Sequence, residues 1–99
     1  MPKTEPVAPK LEPPYIVASQ VSSQYLGALS GSAVLTWDGG PDHPYAELWV
    51  KVNGADETFV VEQGKGSRQV TAELGKAYLY ILTDAGKTLA TVAVVLVPR

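Results

Sequence analysis

Val70-Thr-Ala-Glu-Leu-Gly-Lys-Ala-Tyr-Leu-Tyr-Ile-Leu-Thr83 decides how the rest of this chain is read. Gly75 interrupts it, and Tyr78-Leu-Tyr-Ile-Leu-Thr83 then runs on with aromatic and branched side chains. Such residues fit a pleated, half-buried strand, and a glycine between two strand-like runs marks a corner. Successive strand residues face opposite ways, so Tyr78, Tyr80 and Leu82 share the inner face while Leu79 and Ile81 point outward. One such strand cannot hold itself in water, so the flanking segments must supply strands for it to pack against.

They read that way. Downstream, Asp84-Ala-Gly-Lys87 closes a tight hairpin onto Thr88 to Val97, and Pro98 ends it. Upstream lie Ser67 to Ala72, the turn Gln63-Gly-Lys-Gly66, and Glu57 to Glu62. Asn53-Gly54 joins that last run to Tyr45 to Val52, because both central residues of a type I′ turn need positive φ. In Tyr45 to Val52, alternation sets Ala46, Leu48, Val50 and Val52 on one side. Tyr45, Glu47, Trp49 and Lys51 take the other. The loop Asp38-Gly-Gly-Pro-Asp-His-Pro44 ends a strand at Ser32 to Trp37. Before it come a Ser- and Gly-rich connection, Val21 to Gly31, in which Tyr25 and Leu26 are available for the core, and a first strand, Tyr15 to Gln20. No stretch carries a helical period.

The segment 1–14 has a different texture. Pro2, Pro6, Pro9, Pro13 and Pro14 alternate with Lys3, Glu5, Lys10 and Glu12, which predicts an extended, semi-rigid tether. Pro6-Val-Ala-Pro9 has the PxxP spacing of SH3 ligands, but an interdomain linker is the expected role, and a longer parent protein follows from it. The domain proper is expected at 15–97.

About seven short strands, with turn chemistry every 8 to 12 residues or so, predict an all-β, seven-stranded antiparallel β-sandwich. The motif order sharpens this. Leu35-Thr36-Trp37 ends the second strand, and Leu74-Gly75-Lys76-Ala77-Tyr78 opens the sixth. In these features the chain resembles the fibronectin type III family of immunoglobulin-like sandwiches, with their buried Trp and Gly-x-x-Tyr corner. The resemblance implies that Trp37, Gly75, Tyr78 and Tyr80 are structural, and that the Tyr78 hydroxyl bonds to upstream backbone. The chain departs from that pattern at Leu74 and Ala72, where proline and leucine are usual, which leaves another immunoglobulin-like subtype open. The Asp-Gly-Gly loop and the Ala46-Glu-Leu-Trp-Val50 strand also resemble repeats of bacterial multidomain exported proteins, implying an extracellular or cell-surface setting, with the cytoplasm as the alternative.

Bulk properties narrow function by exclusion. Of 99 residues, 45% are hydrophobic and 18% charged, a globular balance with room for one modest core. A net charge of -2 offers no basic field, so nucleic acid is not an expected partner. No apolar run approaches membrane-spanning length, and no membrane insertion is expected. There is no cysteine for disulfide or thiolate chemistry.

Three groups of residues are candidates for chemistry. Asp38, Asp42 and His43 share one loop and Glu47 follows, but the spacing matches no calcium loop and a single His makes no zinc site, so neither metal nor cofactor is expected. His43 is read as a solvent-exposed loop residue. Gln63-Gly-Lys-Gly66 lacks the Ser/Thr and helix of a phosphate loop. No nucleophile, oriented base or carboxylate pair across a cleft is evident, and the chain is read as non-catalytic. The third group is the outward set Tyr45, Trp49, Leu79 and Ile81, expected to form an apolar aromatic patch that is either covered by the tether, the Tyr25-Leu26 connection or a neighbouring domain, or offered to a partner. The function expected is that of a spacer or protein-contact module touching neighbouring domains of its parent. The alternatives are a carbohydrate-binding module stacking a polysaccharide on this face, and strand addition at an open edge.

Overall fold

The computed structural model describes residues 12–21 and 29–96. Most of the proline-rich stretch, Tyr25-Leu26 and Val97 lie outside the described residues. The chain forms seven strands: β1 (Tyr15–Ala18), β2 (Ser30–Asp38), β3 (Glu47–Val52), β4 (Thr58–Glu62), β5 (Lys65–Glu73), β6 (Ala77–Asp84) and β7 (Lys87–Val95). No helix occurs among the described residues. A three-stranded sheet has the order β1-β2-β5 and a four-stranded sheet the order β4-β3-β6-β7. All pairs are antiparallel.

The two sheets share one core. Ile16, Ala33, Leu35, Trp37 and Ala72 come from the small sheet, and Leu48, Tyr80, Leu82 and Val94 from the large one. This is a β-sandwich-like arrangement, and period-2 alternation explains its membership. Along β2, Ala33, Leu35 and Trp37 are buried while the intervening Val34 is exposed. Leu35, Leu48 and Leu82 are completely shielded, each removing enough apolar surface from water for roughly 1.5–3 kcal/mol.

Turn chemistry sets the registers. Asn53 and Gly54 have φ of 53° and 76°, and the Ala55 N–H bonds to the Val52 carbonyl at 3.1 Å. The type I′ turn is therefore present, and the hairpin it opens closes through a longer loop onto β4, which begins at Thr58, one residue later than read. Asn53 is also bound sideways to β6. Its N–H donates to the Ala77 carbonyl and its Oδ1 accepts from the Ala77 N–H, both at 2.8 Å. The second hairpin is tight as read, with Asp84 opposite Lys87 around Ala85 and Gly86 at φ 51° and 81°.

The Gln63-Gly64 turn crosses from one sheet to the other beneath the Asp38–Pro44 loop. The Gly39 N–H donates to the Gly64 carbonyl at 2.7 Å and the Gln63 N–H to the Ala46 carbonyl at 2.9 Å. A Cβ at Gly64 would lie 2.5 Å from the Pro44 carbonyl oxygen, so glycine is required there for close backbone approach. That loop is a packed closure of the sandwich.

At the opposite end, Gly75 has φ 86° and the Tyr78 hydroxyl accepts from the Glu73 N–H at 3.1 Å. Tyr78 itself is half-buried, while Tyr80 lies within the core.

Candidate interaction face

The solvent side of the four-stranded sheet carries the feature with most binding chemistry. Its central row runs across the strands as Phe59, Trp49, Ile81 and Thr91. A neighbouring row adds Lys51, Leu79 and Ala93, and Ala77 pairs with Val95 beyond it. Phe59 is 49% exposed and Leu79 37%, and Val95 is also exposed. Trp49 is half-buried, and its ring and that of Phe59 form a T-shaped pair with centroids 5.4 Å apart at 75°. Charges bound the patch. Lys51 reaches Glu57 at 3.9 Å on one side, and Glu47 stands opposite Glu62 on the other.

The four residues expected on this face separate. Trp49 and Leu79 lie on it at the places alternation assigned them. Ile81 shares the face but is only 5% exposed, because it sits in a central strand between Trp49 and Thr91 and its neighbours cover it. Tyr45 is 73% exposed but stands before β3, which begins at Glu47, so it belongs to the preceding loop and has no ladder position beside Trp49.

Phe59 replaces Tyr45 as the second aromatic of the patch, and sequence alternation hides it. Val61 pairs with the core residue Leu48, so an uninterrupted strand would send Phe59 to the core as well. A β-bulge between Leu48 and Trp49 inserts Val60 as an extra residue, and Phe59 turns out to solvent opposite Trp49. Both Val60 and Val61 then pack against the core. No residue type in Thr58-Phe-Val-Val-Glu62 announces the bulge.

The loop candidates resolve differently. Asp38 folds back to accept the Gly40 N–H at 2.8 Å, an Asx turn. Its other oxygen lies 4.0 Å from the exposed Lys65 ammonium. Asp42 is exposed. His43 is not a free surface residue: its Nδ1 meets Asp84 Oδ2 at 2.6 Å, both side chains half-buried, tying the loop to the end of β6. No group of three or more His, Cys, Asp or Glu residues among those described is arranged to hold a metal ion. A shallow groove lined by Asp38, Gly40, Pro41, Pro44, Gly64 and Lys65 opens beside this loop, with a single cation and no oriented acid–base pair in its lining.

Fold and face together define an all-β domain of two antiparallel sheets with an apolar, charge-rimmed outer surface on the larger one. Comparison of the chain with family models, with curated proteins and with solved structures finds no match.

Proposed function

We propose that this chain is a non-catalytic contact and spacer module of a larger, exported protein, and that it meets a protein neighbour through the Phe59–Trp49–Leu79 face. The observation that carries the reading is the outer face itself. Solvent-side positions of an antiparallel sheet are ordinarily polar, whereas here an aromatic pair and aliphatic side chains are contiguous and rimmed by charge. Patches of that make-up belong to interaction surfaces. The patch spans a few residues on each of a few strands, fewer than the roughly 20–30 residues a side of a standard interface. That size suits a neighbouring module held at high local concentration by a tether better than a free partner.

The subtype we propose is fibronectin type III-like. Support comes from Trp37 at the end of β2, from the Gly75–Tyr78 corner, and from β4 pairing with β3. In constant-type immunoglobulin domains the fourth strand joins the sheet of the fifth instead. An extracellular setting rests on the resemblance to modular exported proteins.

The sugar-stacking alternative is less well supported. A platform for pyranose rings needs coplanar, uncovered aromatics, and the rings of Trp49 and Phe59 stand at 75° to one another. An amide chemical-shift titration separates the readings. Shifts at Trp49, Phe59 and Leu79 on adding the adjoining domains of the parent protein, and none with soluble oligosaccharides, are expected. Shifts there with oligosaccharides alone would overturn the reading in favour of carbohydrate binding.

A further inference from the structure

Four strands end the two sheets, β1 and β5 in one and β4 and β7 in the other. A terminal strand with nothing beside it presents N–H and C=O groups to a further strand. β1 and β7 run alongside each other, so neither offers an open edge. β4 is only five residues long, and its pairing with β3 is broken by the bulge. β5 is nine residues long, and apart from a brief approach by β7 no described strand other than β2 runs beside it.

The register shows which main-chain groups that edge offers. The Leu74 N–H donates to the Leu29 carbonyl at 2.9 Å, and the β2–β5 pairing continues from there. Bonded pairs recur at every second residue of an antiparallel ladder, so Gly66, Arg68, Val70 and Ala72 turn their main-chain groups toward β2. Lys65, Ser67, Gln69, Thr71 and Glu73 turn theirs outward. Both ends of this outward row are closed by the fold itself. Gln63 Nε2 donates to the Lys65 carbonyl at 2.8 Å. The Glu73 N–H donates to the Tyr78 hydroxyl at 3.1 Å, and the Lys76 N–H donates to the Glu73 carbonyl at 3.2 Å. Between these closures, the N–H and C=O of Ser67, Gln69 and Thr71 have no partner among the described residues.

Side chains state what fits there. Arg68 pairs with the core residue Leu35 and so projects on the inner side of its sheet, yet it is exposed. It lies near enough to the Tyr80 phenol to oppose the rise in its pKa. No carboxylate among the described residues pairs with it. Val70 is half-buried on the same side, while Ser67, Gln69 and Thr71 are exposed on the other. From this we propose that the Ser67–Thr71 edge takes up an extended segment of another protein as an added antiparallel strand, one with an acidic side chain opposite Arg68 and an apolar one opposite Val70. Main-chain bonds supply the affinity of such a pairing, and the side chains supply its selectivity. An apolar residue laid against Arg68 would desolvate the guanidinium without a partner. A carboxylate there meets it at cross-strand distance. The charge thus turns away most strands and admits one kind. This edge belongs to the small sheet and is separate from the Phe59–Trp49–Leu79 face.

The blocked peptide Ser-Thr-Val-Thr-Glu-Thr-Ser sets valine opposite Val70 and glutamate opposite Arg68 when it runs antiparallel to β5. An amide chemical-shift titration of the whole chain with this peptide is expected to move Ser67, Gln69 and Thr71, with a Kd of about 1 mM. The same peptide with lysine in place of glutamate should bind at least about tenfold more weakly. Arg68→Glu, at an exposed position, should reverse that preference while the circular dichroism spectrum is unchanged. The glutamate peptide N-methylated at its central threonine lacks the N–H that faces Gln69 and should not bind. Absence of shifts on β5 up to about 10 mM peptide overturns the proposal. So does equal binding of the two charge variants, or binding that survives N-methylation, since either would dispense with the ladder or with Arg68. Shifts confined to Trp49, Phe59 and Leu79 overturn it too, by placing the peptide on the outer face.

Discussion

The Trp37 indole N–H donates to the Gln63 carbonyl at 2.8 Å, from a side chain only 1% exposed. This bond ties the largest core residue of the small sheet to the turn that leaves the large one. It satisfies the one polar atom of the indole and also an acceptor of the crossing between the sheets. Removing the N–H while keeping an aromatic ring, as in Trp37→Phe, therefore loses a hydrogen bond and leaves a partial void. A loss of about 2–3 kcal/mol is expected, read as a lower urea midpoint with unchanged slope.

Gly64 and Gly54 give a paired prediction with different physics. A Cβ at Gly64 meets Pro44 backbone at 2.5 Å, whereas at Gly54 nothing lies within 4 Å but φ is 76°. Gly64→Ala should cost about 2–3 kcal/mol by forcing the crossing apart. Gly54→Ala should cost only about 1 kcal/mol, the conformational term alone. Thermal unfolding of both variants checks the order. Equal losses would mean that the crossing is looser than its hydrogen bonds imply.

Ala85 holds φ 51° at the first position of the β6–β7 turn, a region where alanine is strained. Asparagine tolerates it better and is favoured in type I′ turns. Ala85→Asn should stabilise the domain by about 0.5–1 kcal/mol, measured as a higher unfolding midpoint. The side chain is exposed, so no packing change competes with this effect.

Burial pushes the Tyr80 phenol above its ordinary pKa, Tyr78 adds to the rise, and Arg68 opposes it. The neutral phenol is thus favoured in the folded chain. Its contribution is fully present below the unfolded value of 10.0 and is lost as pH rises through the higher folded one. Urea midpoints should fall from about pH 9 upward, and Tyr80→Phe should show a shallower decline than the parent chain. Identical alkaline profiles would place the pH sensitivity elsewhere.

Much of the fold was legible because strand chemistry is local. Alternation on β6 assigned Tyr78, Tyr80 and Leu82 inward, and Tyr80 and Leu82 are buried while Tyr78 is half-buried; Trp37, a core residue by the resemblance, is buried as well. The seven strands appear near the expected places, with β2 and β5 beginning two residues earlier than read. Part of the outer face was less accessible. Alternation assigns a side, but exposure on that side depends on which neighbours flank the residue, and this hides Ile81. Tyr45 was misplaced because the start of β3 depends on the Ala46–Gln63 and Gly39–Gly64 bonds, which link distant segments. His43 drew its partner from 41 residues away.

What the sequence by itself determined is everything that follows from the two-residue period and from turn residues with restricted φ: an all-β chain, its strands, its inward rows and its hairpin at Ala85-Gly86. What only the tertiary structure decided is the composition of the outer face and the state of the edges. The bulge that turns Phe59 out beside Trp49, the cover over Ile81 and the terminal position of β7 arise from pairing between distant strands. No local propensity records that pairing, because its energy resides in contacts that exist only once the sheets are assembled.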